Sequence, residues 1–172
     1  PPPPPFCSPP LQASPPTITS LSGRTVGISP PLPHKTAGGV QTVEGFEVRM
    51  AAEVANLQRS VVITGDDFSA EGDSQHVGLH TIMAGGGAMK VEYARVEKCG
   101  QRHRVGRYCL HWHYLFSCPD CVFRGNAIED SHQGGITVHQ THDALVEDNV
   151  LWDTRGNGTS AALATSGASR AI

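Results

Sequence analysis

Between about Glu44 and Asn157 the chain repeats itself in short alternating strands, and this repetition constrains the fold more than any single motif within it. One series reads apolar, variable, apolar, histidine: Val77-Gly78-Leu79-His80, then Leu110-His111-Trp112-His113, then Ile136-Thr137-Val138-His139. A second series follows each of these, running Val91 to Val96, Phe123 to Ile128 and Val146 to Leu151, with apolar residues at both ends. The last two units recur at 26 residues from His113 to His139 and at 23 from Asn126 to Asn149, which is a solenoid period. The unit before them is spaced at 33 and 32 residues, and the surplus falls on the Gly- and Arg-rich stretch from Gly100 to Arg107, which therefore bulges as a loop. Short strands joined by Gly, Asn and Asp turns, with no helical periodicity between them, exclude a βαβ fold. They predict an all-β, right-handed parallel β-helix over residues 44–157.

Side chains alternate across a strand, so the pattern also assigns faces. Leu110, Trp112, Ile136 and Val138 line the tube, while His111, His113, Thr137 and His139 point outward. Stacking of equivalent residues predicts a vertical ladder of His80, His113 and His139, with His111 on the same face. Asn126 and Asn149 occupy equivalent places one coil apart, where their amides can bond along the stack and satisfy the polar groups of a corner.

Outside the repeat the composition changes. Residues 1–43 hold nearly all of the 13 prolines and read as a disordered leader or the remnant of an upstream domain; residues 158–172 are a Gly/Ala/Ser-rich tail. The chain begins with proline and shows no signal peptide, so it reads as a fragment whose start is missing and whose β-helix is incomplete. A net charge of −3 argues against a nucleic-acid partner. Arg102, His103, Arg104 and Arg107 come nearest to an anion patch, with a solvated loop as the plainer reading. No run of about 18 apolar residues occurs, so no membrane span lies within this fragment. The five cysteines are an odd number and form no closed framework by themselves; Cys118 and Cys121, in CPDC, fit a tight disulfide, half of a zinc site or two thiols, zinc being the least favoured. The Asn157-Gly158-Thr159 sequon fits a secreted glycoprotein.

Three stretches carry a family resemblance. EVRMAAEVANLQRSVVITGDD (Glu47 to Asp67), GGGAMKVEYARVEKCGQRHRVGRYCLHWHYL (Gly85 to Leu115) and IEDSHQGGITVHQTHDALVEDNVLWD (Ile128 to Asp153) resemble the β-helix region of the CEMIP and fibrocystin-L family, the first being similar to the segment after that family's eight-glycine domain. Cys109 stands where the family pattern has proline, Trp112 replaces phenylalanine, and the chain departs from the pattern after Gly156. The resemblance implies a parallel β-helix in a large extracellular or cell-surface protein, and for some members hyaluronan binding or depolymerisation. The reading that follows is an extracellular module that binds or depolymerises a hyaluronan-like acidic polysaccharide or cell-surface glycan. The competing reading is a non-catalytic structural or adhesion ectodomain.

Candidate chemistry centres on the outward histidines. His80, His113 and His139 would form a divalent-metal site, since neutral imidazole suits zinc or copper; a hydrogen-bonded histidine stack that braces the sheet is the plainer alternative. For glycoside cleavage, Asp130 and its repeat equivalent Asp153 would lie a rung apart, and His111, His113, Asp130 and His139 would form the catalytic set, with turn-capping the plainer role for each aspartate. For a lyase, His113 would act as base and Arg107 as the neutralising cation. Arg107, Tyr108, Thr137 and Asp153 would contact substrate, whereas the inward parity of Trp112 assigns it to the core. Asp66, Asp67, Glu71 and Asp73 offer oxygen ligands for calcium, with a solvated acidic loop favoured over that use.

Overall fold

The computed structural model describes residues 15–35, 38–51, 54–66 and 77–162. They belong to two compact units, Pro1–Val54 and Ala55–Ile172.

In the first unit, the described part of residues 1–43, expected to be a disordered leader or the remnant of an upstream domain, carries paired strands. Strands β1 (Thr17–Ser22) and β2 (Thr25–Ser29) form one antiparallel hairpin, and β3 (Gly39–Val43) and β4 (Phe46–Met50) form another that crosses the expected boundary at residue 43. Each turn has the chemistry a two-residue hairpin needs. Gly23 takes φ +56° at the first central position, and Glu44 and Gly45 both take positive φ. The β-branched runs flanking these turns pair locally and require no buried core, which is why hydrophobic periodicity alone overlooks them.

The second unit is a parallel β-helix. Strands β5 (Val61–Thr64), β6 (Lys90–Glu92), β7 (Ala94–Cys99), β8 (Leu110–Ser117), β9 (Val122–Arg124), β10 (Ala127–Ser131), β11 (Ile136–His142), β12 (Leu145–Glu147), β13 (Val150–Thr154) and β14 (Thr159–Ala162) follow one another around three faces. The faces are three parallel sheets ordered β14-β11-β8, β12-β9-β6 and β13-β10-β7-β5. Such strand–crossover–strand connections take the right-handed sense. Strand β14 falls within the stretch expected to be a low-complexity tail, and it continues the stack by pairing Ile136 with Thr159 through His139 with Ala162.

The register follows the repeat in both series from β8 and β9 onward. Leu110 lies opposite Ile136 and His113 opposite His139; Phe123 lies between Val91 and Val146, and Ile128 between Val96 and Leu151. The inward parity holds as well. Leu110, Trp112, Phe123, Ile128 and Ile136 are fully buried, and the Trp112 and Phe123 rings stack at 3.9 Å across the lumen.

The first unit of the repeat departs from the expected register. Leu79 bridges Cys99, and Met83, not Leu79, lies opposite Trp112. The Thr81 hydroxyl donates to Cys109 O at 2.8 Å, Met83 N to His111 O and His113 N to Met83 O at 2.9 Å each, so Thr81 to Met83 stand over Leu110 to Trp112. A slip by an even number of residues preserves inward–outward alternation, so the pattern could not separate the two registers.

The corner between the second and third sheets is short and fixed by the predicted asparagines. Asn126 Nδ2 donates to Asn149 Oδ1 at 2.9 Å and to Val91 O at 2.8 Å, while Asn126 Oδ1 accepts from Ala94 N at 3.0 Å. Asn149 Nδ2 continues the ladder to Phe123 O at 2.8 Å. The corner between the third and first sheets is variable: residues 132–135 and 155–158 turn tightly, whereas residues 100–109 form the expected bulge. A disulfide between Cys99 and Cys109 closes that bulge, and a second, between Cys118 and Cys121, closes the CPDC turn between the first and second sheets. Of the three states open for CPDC, the structure has the disulfide; Cys7 lies outside the described residues.

Candidate functional site

Two places on the β-helix gather groups able to do chemistry. The first is the outer face of β8 and β11. His113 and His139, opposite each other in register, approach with Nδ1 atoms 3.2 Å apart and ring centroids 5.0 Å apart. His111 lies beside them, its ring centroid 5.1 Å from that of His113, and ring nitrogens of all three lie within 4.8 Å of one another. Tyr114, held at φ +54° where β8 bulges, places its exposed ring 4.7 Å from both His113 and His139.

His111 points outward by parity but is not on an open surface. It is 1% exposed, because the bulge folds back over it: Gly106 O lies 3.1 Å from its Nδ1, and the Tyr108 ring packs edge-on against it at 5.0 Å. The contact with the carbonyl assigns the proton to Nδ1, which donates, and leaves Nε2 buried with no hydrogen-bond partner among the described residues. Burial lowers the His111 pKa to about 4; the Gly106 hydrogen bond opposes this, and His113, His139 and His80 add to the fall. The imidazole is therefore neutral at physiological pH.

His80 stands apart from this group. The shifted register of residues 77–83 carries it to the bulge, where the Arg107 guanidinium donates to Nε2 and Gln101 Nε2 lies 3.3 Å from Nδ1. Burial and then the Arg107 charge lower its pKa. The histidine ladder thus comprises His113 and His139, with His111 in place of His80 as the third nitrogen donor. Arg107 is committed to His80, and Tyr108 to covering His111 and Gly134. Thr137 is buried, its hydroxyl accepting from Ser160 Oγ at 3.3 Å.

The predicted carboxylate pair lies on another sheet. Asp130 and Asp153 are register equivalents near the ends of β10 and β13, both at φ +48°, a conformation suited to the turn-capping role of aspartate. Neighbouring Glu129 is bound to Arg95 at 3.3 Å; burial raises its pKa, Arg95 opposes the rise, and Glu97 and Asp130 add to it. Of the acidic calcium candidates, Asp67, Glu71 and Asp73 lie outside the described residues.

The second place is an open cavity of ≈ 340 Å³ at the variable corner, lined by Arg102, His103, His132, Gln133 and Arg155. These residues follow β7, β10 and β13, so three successive coils contribute to one pocket. His132 N donates to Cys99 O at 2.7 Å and Arg155 N to Ser131 O at 2.9 Å, which aligns the three corners. Gly100, at φ +80°, permits the approach, since a Cβ there would meet Gln133 at 2.8 Å. Arg102 and His103 were singled out by the charge of the bulge. His132, Gln133 and Arg155 were not, although extending the Ser131–Thr154 equivalence by one residue aligns His132 with Arg155.

Comparison with known proteins places the architecture in context. The CEMIP beta-helix family matches residues 76–160. Fibrocystin-L of Mus musculus is 30% identical over 179 residues, covering 81% of this chain and 4% of the relative. Cell surface hyaluronidase CEMIP2 of Homo sapiens is 29% identical over 136 residues, covering 68% of this chain and 9% of the relative. A G8 domain-containing protein of Dictyostelium discoideum is 28% identical over 142 residues, covering 82% and 9%. The chain thus spans a small part of each of these relatives, and no solved structure matches it. With three parallel sheets, an asparagine corner and this agreement over residues 76–160, the chain carries a β-helix of the CEMIP and fibrocystin-L family.

Proposed function

We propose that this β-helix is an extracellular module that binds an acidic polysaccharide at the corner pocket of Arg102, His103, His132, Gln133 and Arg155. The observation that carries the reading is the lining itself: two guanidiniums, two imidazoles and an amide, with no carboxylate among them. Guanidinium forks match carboxylate geometry and hold it by charge-assisted hydrogen bonds. Successive coils, stacked about 4.8 Å apart at the backbone, supply the groups, so the pocket spans several rungs as an extended polymer site would. A relative named for a hyaluronidase at the cell surface supports the substrate class. Two disulfides fit an oxidising, extracellular compartment. Among the described residues no helix is long and apolar enough to cross a membrane.

The test is equilibrium binding of the 172-residue chain to a uronate-containing polysaccharide and to a neutral one of equal length. The expected result is binding to the acidic polymer, weakened by added salt and reduced roughly ten-fold or more by the double variant R102A/R155A. Equal binding of both polymers, or an unchanged affinity in the double variant, would sink the proposal. Sizing the recovered polymer reads cleavage separately from retention.

A further inference from the structure

Away from that pocket, we infer that His111, His113 and His139 form a binding site for a zinc-class divalent ion. Two neighbouring coils build it: β8 supplies His111 and His113 two residues apart on one face, and β11 supplies His139 directly over His113. Ring nitrogens of the three lie within 4.8 Å of one another, and the 3.2 Å between Nδ1 of His113 and Nδ1 of His139 is close to the roughly 3.3 Å edge of a tetrahedron with Zn–N bonds of about 2.0–2.1 Å.

His111 distinguishes a metal site from a bracing stack. Its Nδ1–H donates to Gly106 O at 3.1 Å, the arrangement by which a backbone carbonyl fixes the tautomer and aim of a ligating imidazole. The lone pair on Nε2 is buried with no partner among the described residues, in a side chain 1% exposed. A hydrogen-bonded stack satisfies His113 and His139 but leaves that nitrogen unused, whereas a bound cation uses it. Three nitrogen donors select zinc or a similar borderline metal over calcium, which takes oxygen ligands. A three-histidine set leaves one coordination position for water or a ligand oxygen.

The test is titration of the metal-stripped 172-residue chain with Zn²⁺ by calorimetry and with Co²⁺ by visible absorption. The expected result is one equivalent bound, with the d–d bands of low-symmetry four-coordinate cobalt. H113A and H139A should each lower the affinity roughly ten-fold or more, while H142A and the pocket variant R102A/R155A leave it unchanged. Circular dichroism checks the fold of each variant. In the unsubstituted chain, imidazole ¹⁵N spectra should shift on zinc addition for His111, His113 and His139, which keeps the test independent of any variant's folding. Zinc binding that survives in the H113A/H139A double variant, or zinc-induced shifts confined to other histidines, would overturn the inference. Because the pocket variant separates the two surfaces, this site and the polysaccharide proposal stand or fall independently.

Discussion

His111 projects from the outer face of β8 yet is buried, its Nδ1 held by Gly106 O beneath the bulge. Strand parity turned it outward, as the sequence implies, but the covering bulge has no periodicity and its path could not be read. The consequence is a pH dependence. The folded-state pKa of about 4 lies below the roughly 6.5 of an unfolded histidine, so between these values the unfolded chain binds the proton that the folded chain excludes. Stability contributed by neutral His111 is thus fully present above about pH 6.5 and is lost as pH falls toward about 4. With chelator present, the unfolding free energy from urea titrations should fall across this window by an amount on the order of 1–3 kcal/mol. H111Q should flatten that part of the profile, and an unchanged profile would show that the imidazole is already charged in the folded chain. His80 was harder to place for another reason, since a slip of four residues left every inside and outside assignment intact.

Among the elements, the asparagine corner was the most legible, because a repeat spacing of 23 residues and an amide able to bond in both directions specify the same ladder. Asn126 is its keystone, meeting Val91 O, Ala94 N and Asn149 Oδ1 at once while fully buried. Asn126→Ala strips partners from buried backbone groups on the adjoining coil, and each such group costs about 1–3 kcal/mol. A loss of about 2–4 kcal/mol in chemical denaturation is expected. Asn149→Ala should cost less, because Asn149 is only half-buried. Equal and small losses for the two variants would mean that water replaces the amides. The hairpins β1-β2 and β3-β4 were missed at this scale because their signal lies in Gly23, Glu44 and Gly45 and not in any apolar stripe.

At the scale of the molecule, the disulfide Cys99–Cys109 joins stability to the proposed binding surface. It closes the bulge that both roofs His111 and presents Arg102 and His103 to the pocket. Cysteine count alone could not reveal this pairing, whose partners meet only when β7 and β8 are wound onto successive coils. Replacing both residues by serine should cost about 2–3 kcal/mol through lost loop closure. The acidic-polysaccharide affinity should drop with it, whereas the C118S/C121S variant should leave that affinity unchanged. If the two variants bind alike, the bulge does not need its staple to form the pocket. The winding also divides the tolerance of the chain to change unevenly. One corner is locked from coil to coil by stacked amides, so an inserted residue there would break the ladder, while the opposite corner already accepts turns of different lengths without disturbing either neighbouring sheet. New loops spliced between Cys99 and Cys109 could therefore redirect ligand choice on an unaltered scaffold.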